Sequence, residues 1–128
     1  METVAKAGWS GKTILLWVLR ILMGAMFIAA GAAKLAGQQM MVDEFAVVGL
    51  GQWFRYVTGI LEFAGGIAVL LPRFSPLGAL VLLLVDIGAL VAQVTILHAD
   101  WIHTIVIGAI LVAIIALQRD GLKALMGK

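Results

Sequence analysis

Long apolar runs alternate with short polar stretches along the chain, and most of the runs are long enough to cross a bilayer at 1.5 Å per residue. The first extends from about Thr13 to Ala33, the second from Phe54 to Leu71, the third from Leu77 to Leu97 and the fourth from about Ile102 to Leu117. Between the first two, residues 38–48 mix Met40, Met41, Phe45, Val47 and Val48 with Asp43 and Glu44. This pattern predicts a short amphipathic helix that lies at the membrane surface or caps the bundle, with both acids facing water. Within the spans, steps of three and four place Arg20, Gly24, Phe27, Gly31 and Lys34 on one face of the first helix. The same spacing groups Thr58, Gly59, Glu62, Gly65, Gly66 and Val69 on the second helix and Ala79, Leu82, Asp86, Ala89 and Gln93 on the third. Pro72 to Pro76 reads as a tight connection that makes spans two and three antiparallel neighbours. The expectation is an all-α, polytopic membrane four-helix bundle with up-down-up-down order, one domain over residues 1–128. No internal repeat, low-complexity stretch or linker is expected.

Composition narrows this further. With 63% hydrophobic and 12% charged residues and a mean hydropathy of +1.12, the chain lies far from the soluble average of about half apolar and a quarter charged. The lipid bilayer is its first expected partner. A net charge of +2 brings no nucleic-acid expectation, because most of the nine Lys and Arg lie at segment ends. Lys6, Lys12, Arg73, Arg119, Lys123 and Lys128 fall on the side of the two termini, and Lys34 and Arg55 on the other, so the positive-inside rule predicts cytoplasmic termini. Ala30-Gly31-Ala32-Ala33 offers small residues for signal cleavage, but the run before it is longer than a signal core and contains Arg20, so an uncleaved span is expected. Trp53, Tyr56 and Trp101 suit the headgroup level. Cysteine is absent, which removes disulfides, thiolate metal sites and Cys-x-x-Cys redox chemistry and leaves no intrinsic cofactor.

Ionisable residues inside spans are functional candidates by default. Glu62 and Asp86 fall near one depth, with Arg20 about 6 Å toward the cytoplasmic side of the first helix. One cation among two acids predicts an Arg20 pair with Glu62 or with Asp86. A ligand or proton role and a purely structural polar clasp both remain open. Gly24 and Gly31 mark a helix-packing seam, and Gly59, Gly65 and Gly66 surround the carboxylate with small residues. His98, Asp100 and His103 lack the one-turn spacing of a helical metal pair, so no metal site is expected. No glycine-rich phosphate loop is present, and serine occurs only at positions 10 and 75, which excludes nucleotide-binding and serine-hydrolase readings.

Taken together, Arg20-x3-Gly24-x2-Phe27-x3-Gly31-x2-Lys34-Leu35, Glu44-Phe45 with Gly49-Leu50-Gly51, and Gly59-x2-Glu62-x2-Gly65-Gly66 followed by Leu70-Leu71-Pro72-Arg73 form a pattern with His98 before the last span. In order and spacing this resembles the DoxX-like family of small four-helix membrane proteins. The resemblance implies a four-helix bundle and a link to thiosulfate:quinone oxidoreductase and other membrane oxidoreductase assemblies, with distant relatives acting as assembly chaperones. The expected function is then a membrane subunit, in a bacterial cytoplasmic membrane, that binds a lipophilic ligand such as a quinone and serves an oxidoreductase partner. Arg20 or Lys34 would polarise a quinone carbonyl, Glu62 or Asp86 would exchange the proton, and Gly24, Gly59, Gly65 and Gly66 would leave room for the ring. Gln93 and His98 complete the set of ligand or proton candidates. The rival is a non-catalytic scaffold or assembly factor that packs against partner helices or against copies of itself.

Overall fold

Five α-helices make up the computed structural model, which describes residues 10–97 and 101–119. They are α1 (Gly11–Ala36), α2 (Gln39–Val48), α3 (Gln52–Leu70), α4 (Ser75–Ala92) and α5 (Ile102–Leu117), and α4 continues through one π-helical turn, Gln93–Leu97. Gly11–Ala36, Gln52–Leu70 and Ser75–Leu97 are long and apolar enough to cross a membrane, at 26, 19 and 23 residues. The chain is an all-helical integral membrane protein on that evidence. The 16 residues of α5 are apolar but shorter.

Local chemistry sets the helix ends. The Ser10 hydroxyl accepts from the Thr13 backbone N–H at 3.1 Å and so satisfies a first-turn donor of α1. Gly37, at φ 75°, supplies the left-handed residue that ends α1. That end falls three residues beyond Ala33, so Lys34 lies within the helix. α3 stops at Leu70, just before Pro72, and Pro76 sits in the first turn of α4, where its missing N–H costs nothing.

The α1/α3 contact is the most extensive in the molecule. A methyl on Gly31 would lie 2.7 Å from the Gly59 carbonyl oxygen, and one on Gly66 would lie 2.9 Å from that of Gly24. Those two pairings reverse in order along the chain, so the helices run antiparallel. The contacting residues also repeat: Arg20, Gly24, Gly31 and Leu35 recur as Arg55, Gly59, Gly66 and Leu70, each 35 positions later. Contacts exchange with the residues. A methyl on Gly24 would meet Leu70 Cγ at 2.7 Å, and one on Gly59 would meet Leu35 Cγ at 3.1 Å. A pseudo-two-fold axis between the helices therefore relates α1 to α3, which corrects the expectation that no internal repeat exists. The identities are scattered over one helical face, so no run of consecutive residues displays them.

α3 packs on α4 through Gly65 and Gly78, and α4 meets α5 where the Ser75 hydroxyl donates to Gln118 Oε1 at 2.6 Å. α5 also touches α1. Met23, Phe27, Val69, Ala79, Leu82, Leu111 and Ile114 form the apolar core between these helices. Outward, Leu15, Val18, Leu22, Leu84 and Val112 are at least half exposed, a surface suited to lipid. α2 docks on α3, with the Gln52 side-chain amide donating to Val42 O at 3.0 Å and the Phe45 and Phe54 rings 5.9 Å apart, and it also touches the π turn of α4.

Candidate functional site

Arg20, 2% exposed, donates from Nε to Val69 O at 2.8 Å and from Nη2 to Leu70 O at 3.0 Å, and its guanidinium lies 3.9 Å from the centre of the Trp17 ring. Both acceptors belong to the last turn of α3, where carbonyls lack intrahelical donors and carry the negative end of the helix dipole. Its symmetry mate behaves alike. Arg55 is buried, donates from Nη1 to Lys34 O in the last turn of α1 and from Nε to Gln52 Oε1 at 2.7 Å, and lies over the Tyr56 ring. Each arginine thus caps the C-terminus of the helix that carries the other. The expected ion pair of Arg20 with Glu62 or Asp86 is overturned, because α3 ends level with Arg20 and its free carbonyls take both donors.

Lys34 is the cation that meets Glu62. Its Nζ lies 2.7 Å from Glu62 Oε1, with the two side chains 12% and 9% exposed. The residues related to them by the repeat are Val69 and Phe27, both buried in the apolar core. One half of the α1/α3 interface is therefore apolar where the other holds an ion pair. Asp86 enters from α4 and is 8% exposed. Its Oδ2 lies 2.8 Å from the point where a methyl on Gly108 would stand, so the glycine in α5 makes the space the carboxylate occupies. Asp86 forms no hydrogen bond or ion pair among the described residues, and its charge interacts with His103 and Glu62. Beyond it, the Thr104 hydroxyl donates to Gln93 Oε1 and lies 3.4 Å from His103 Nε2.

Lys34, Glu62, Asp86, Gln93, His103 and Thr104 open on one cavity of about 900 Å³ framed by the five helices. Its walls are mainly apolar, with Phe27, Phe45, Phe54, Leu61, Val85 and Ile107 among them, and Lys34, Glu44, Glu62, Asp86, Gln93, His103 and Thr104 supply its polar groups. Such a volume, apolar with a few convergent polar groups, is that of a small-molecule site. Glu44 corrects another expectation. Asp43 is exposed on α2, but Glu44, one residue and about 100° further round, is only partly exposed and lines the cavity.

The DoxX-like family matches residues 18–117. The chain belongs to the DoxX-like family. No curated protein and no solved structure matches it.

Several candidate residues of this DoxX-like chain fall elsewhere than expected. Gly24, Gly59, Gly65 and Gly66 leave no room for a ring, because the opposing helix already fills the space beside each; a methyl on Gly65 would meet Leu82 Cδ2 at 2.8 Å. The glycine on the cavity wall is Gly88. Lys34, Glu62, Asp86 and Gln93 do come together there, whereas Arg20 does not. His98 and Asp100 lie outside the described residues. Glu44, Arg55, Thr104, His103 and Gly108 take part in the site without being expected there. The Arg-x3-Gly spacing shared with Arg20 marks Arg55, and no comparable signal marks the others.

Proposed function

We propose that this DoxX-like protein is a membrane subunit whose cavity binds a lipophilic molecule with a polar head, held at Lys34, Glu62 and Asp86, and presents it to an oxidoreductase partner. The observation that carries this reading is the broken symmetry of the α1/α3 pair. In one half, Phe27 and Val69 fill the interface with apolar groups; in the equivalent backbone setting of the other half stand Glu62 and Lys34, beside the cavity. A clasp for the fold alone needs no such difference, since the apolar half packs without it. A quinone is the ligand that the family resemblance suggests. Its carbonyl would accept from Lys34, and Glu62 or Asp86 would exchange the proton that its reduction requires. The chain has no cysteine, so electrons would come from the partner.

We place the protein in the membrane as a four-helix bundle of up-down-up-down order, with α2 across one end and both termini in the bacterial cytoplasm. The antiparallel α1/α3 pair, the contacts of α3 with α4, α4 with α5 and α5 with α1, and the bias of Lys and Arg toward the side of the termini support it. Mass spectrometry of lipids extracted from the purified protein tests the ligand reading. A stoichiometric lipophile other than phospholipid is expected, lost in a Glu62→Gln variant that keeps its helical circular dichroism. Bulk phospholipid alone in both proteins, with a partner still co-purifying, would overturn the reading in favour of a scaffold.

A further inference from the structure

The charge of the cavity says more about the head group than its shape does. Three carboxylates line it, those of Glu44, Glu62 and Asp86, against the ammonium of Lys34 and the imidazole of His103. Lys34 is committed to Glu62 at 2.7 Å, and the nearby Arg55 is committed to the carbonyl of Lys34 and to Gln52. Asp86 is left more than nine-tenths buried, on the cavity wall, with no hydrogen bond or ion pair to any described residue, and of the basic groups there it is His103 whose charge acts on it. A buried carboxylate without a partner is costly in an apolar setting, and a cation is the group that offsets that cost most fully. Aromatic rings on the same walls, among them Phe45 and Phe54, add faces on which a desolvated cation is stabilised.

We propose that the cavity takes a lipophilic cation, an apolar body bearing an amine or a quaternary onium group, whose charge is held by the Asp86 carboxylate with Gly108 leaving that carboxylate its place. This rests on the reading of the cavity as a lipophilic-ligand site and narrows the ligand class from any polar head to a positive one. The neutral carbonyls of a quinone offer no such match to the Asp86 carboxylate.

The test is saturable binding of radiolabelled tetraphenylphosphonium to the purified full-length protein in a non-ionic detergent, with decylubiquinone as the neutral comparison. Saturable cation binding is expected, weakened about tenfold or more in Asp86→Asn, a loss of about 1.4 kcal/mol or more. Gly108→Ala, which leaves the acid present but sets a methyl 2.8 Å from its present Oδ2, is expected to weaken cation binding as well. Both variants are compared at matched helical content and elution volume; should Asp86→Asn fail to fold, Gly108→Ala decides. Saturable decylubiquinone binding without cation binding would overturn this inference and leave the lipophilic-ligand reading standing. Cation binding equal in the wild type and both variants would overturn the role of Asp86. No saturable binding of either probe, together with phospholipid alone in the extract, would overturn both.

Discussion

Arg20 and Lys34 share one face of α1, yet one closes a helix end and the other enters a cavity. Arg20 reaches two carbonyls of α3 that have no other donor among the described residues, so its fork of N–H groups matches a pair of acceptors that a single ammonium cannot serve. Replacing it with methionine should lower stability by about 2 kcal/mol or more, since hydrogen bonds from a charged donor are worth about 1.5–3 kcal/mol and the acceptors stay buried. Arg20→Lys should recover only part of this. Thermal unfolding in mild detergent, followed by circular dichroism, checks both. Melting unchanged in Arg20→Met would remove the capping role. The sequence shows that Arg20 must find a partner inside the bundle, but not which one. Counting depth from the middle of the first span puts both acids within its reach; only the place where α3 ends, level with Arg20, puts the carbonyls nearer.

At the scale of the helices, glycine placement decides how α1 and α3 approach. A methyl on Gly31 would stand 2.6 Å from the Phe63 backbone nitrogen and 2.7 Å from the Gly59 carbonyl oxygen, so the two helices would have to move apart. Overpacking of this kind costs about 1–3 kcal/mol. Gly88→Ala meets nothing within 4 Å and should melt as the wild type does, or slightly higher given the greater helix propensity of alanine. Equal melting temperatures for Gly31→Ala and Gly88→Ala would mean that the α1/α3 seam is loose. The helices and their inward faces are legible in the sequence, because small and polar residues recur at three and four within apolar runs. The repeat is harder to read, since its matching residues are separated by lipid-facing positions that share nothing but apolarity. The π turn has no mark at all in Gln93–Leu97. Its structure shows Thr95 Oγ1 donating to Val91 O at 2.6 Å, a local bond that competes with regular helix geometry. On α2, reading Asp43 and Glu44 as one water-facing pair ignores the turn of about 100° between neighbours.

Across the whole molecule, an antiparallel pair of like helices forms a scaffold, and the polar groups gather in the half where α2 and the π turn border a cavity. The scaffold supplies its own control. If the apolar half shows what the fold requires, Lys34→Val combined with Glu62→Phe copies the pair Val69 and Phe27 into the polar half and should fold normally. Replacing a buried ion pair with apolar groups is often neutral or stabilising by about 1–4 kcal/mol, whereas removing one partner can cost about 3–5 kcal/mol. Glu62→Ala alone should therefore destabilise, toward the low end of that range because Lys34 lies in the last turn of α1 and its long side chain can turn toward the interface. The double variant should regain that loss while retaining no lipophilic ligand on extraction. Melting curves for the wild type, Glu62→Ala, the single variants Lys34→Val and Glu62→Phe and the double, each paired with lipid analysis, separate stability from binding. A double variant that melts lower than Glu62→Ala, or that keeps its ligand, would return the Lys34–Glu62 pair to a structural role and remove the asymmetry argument for a site.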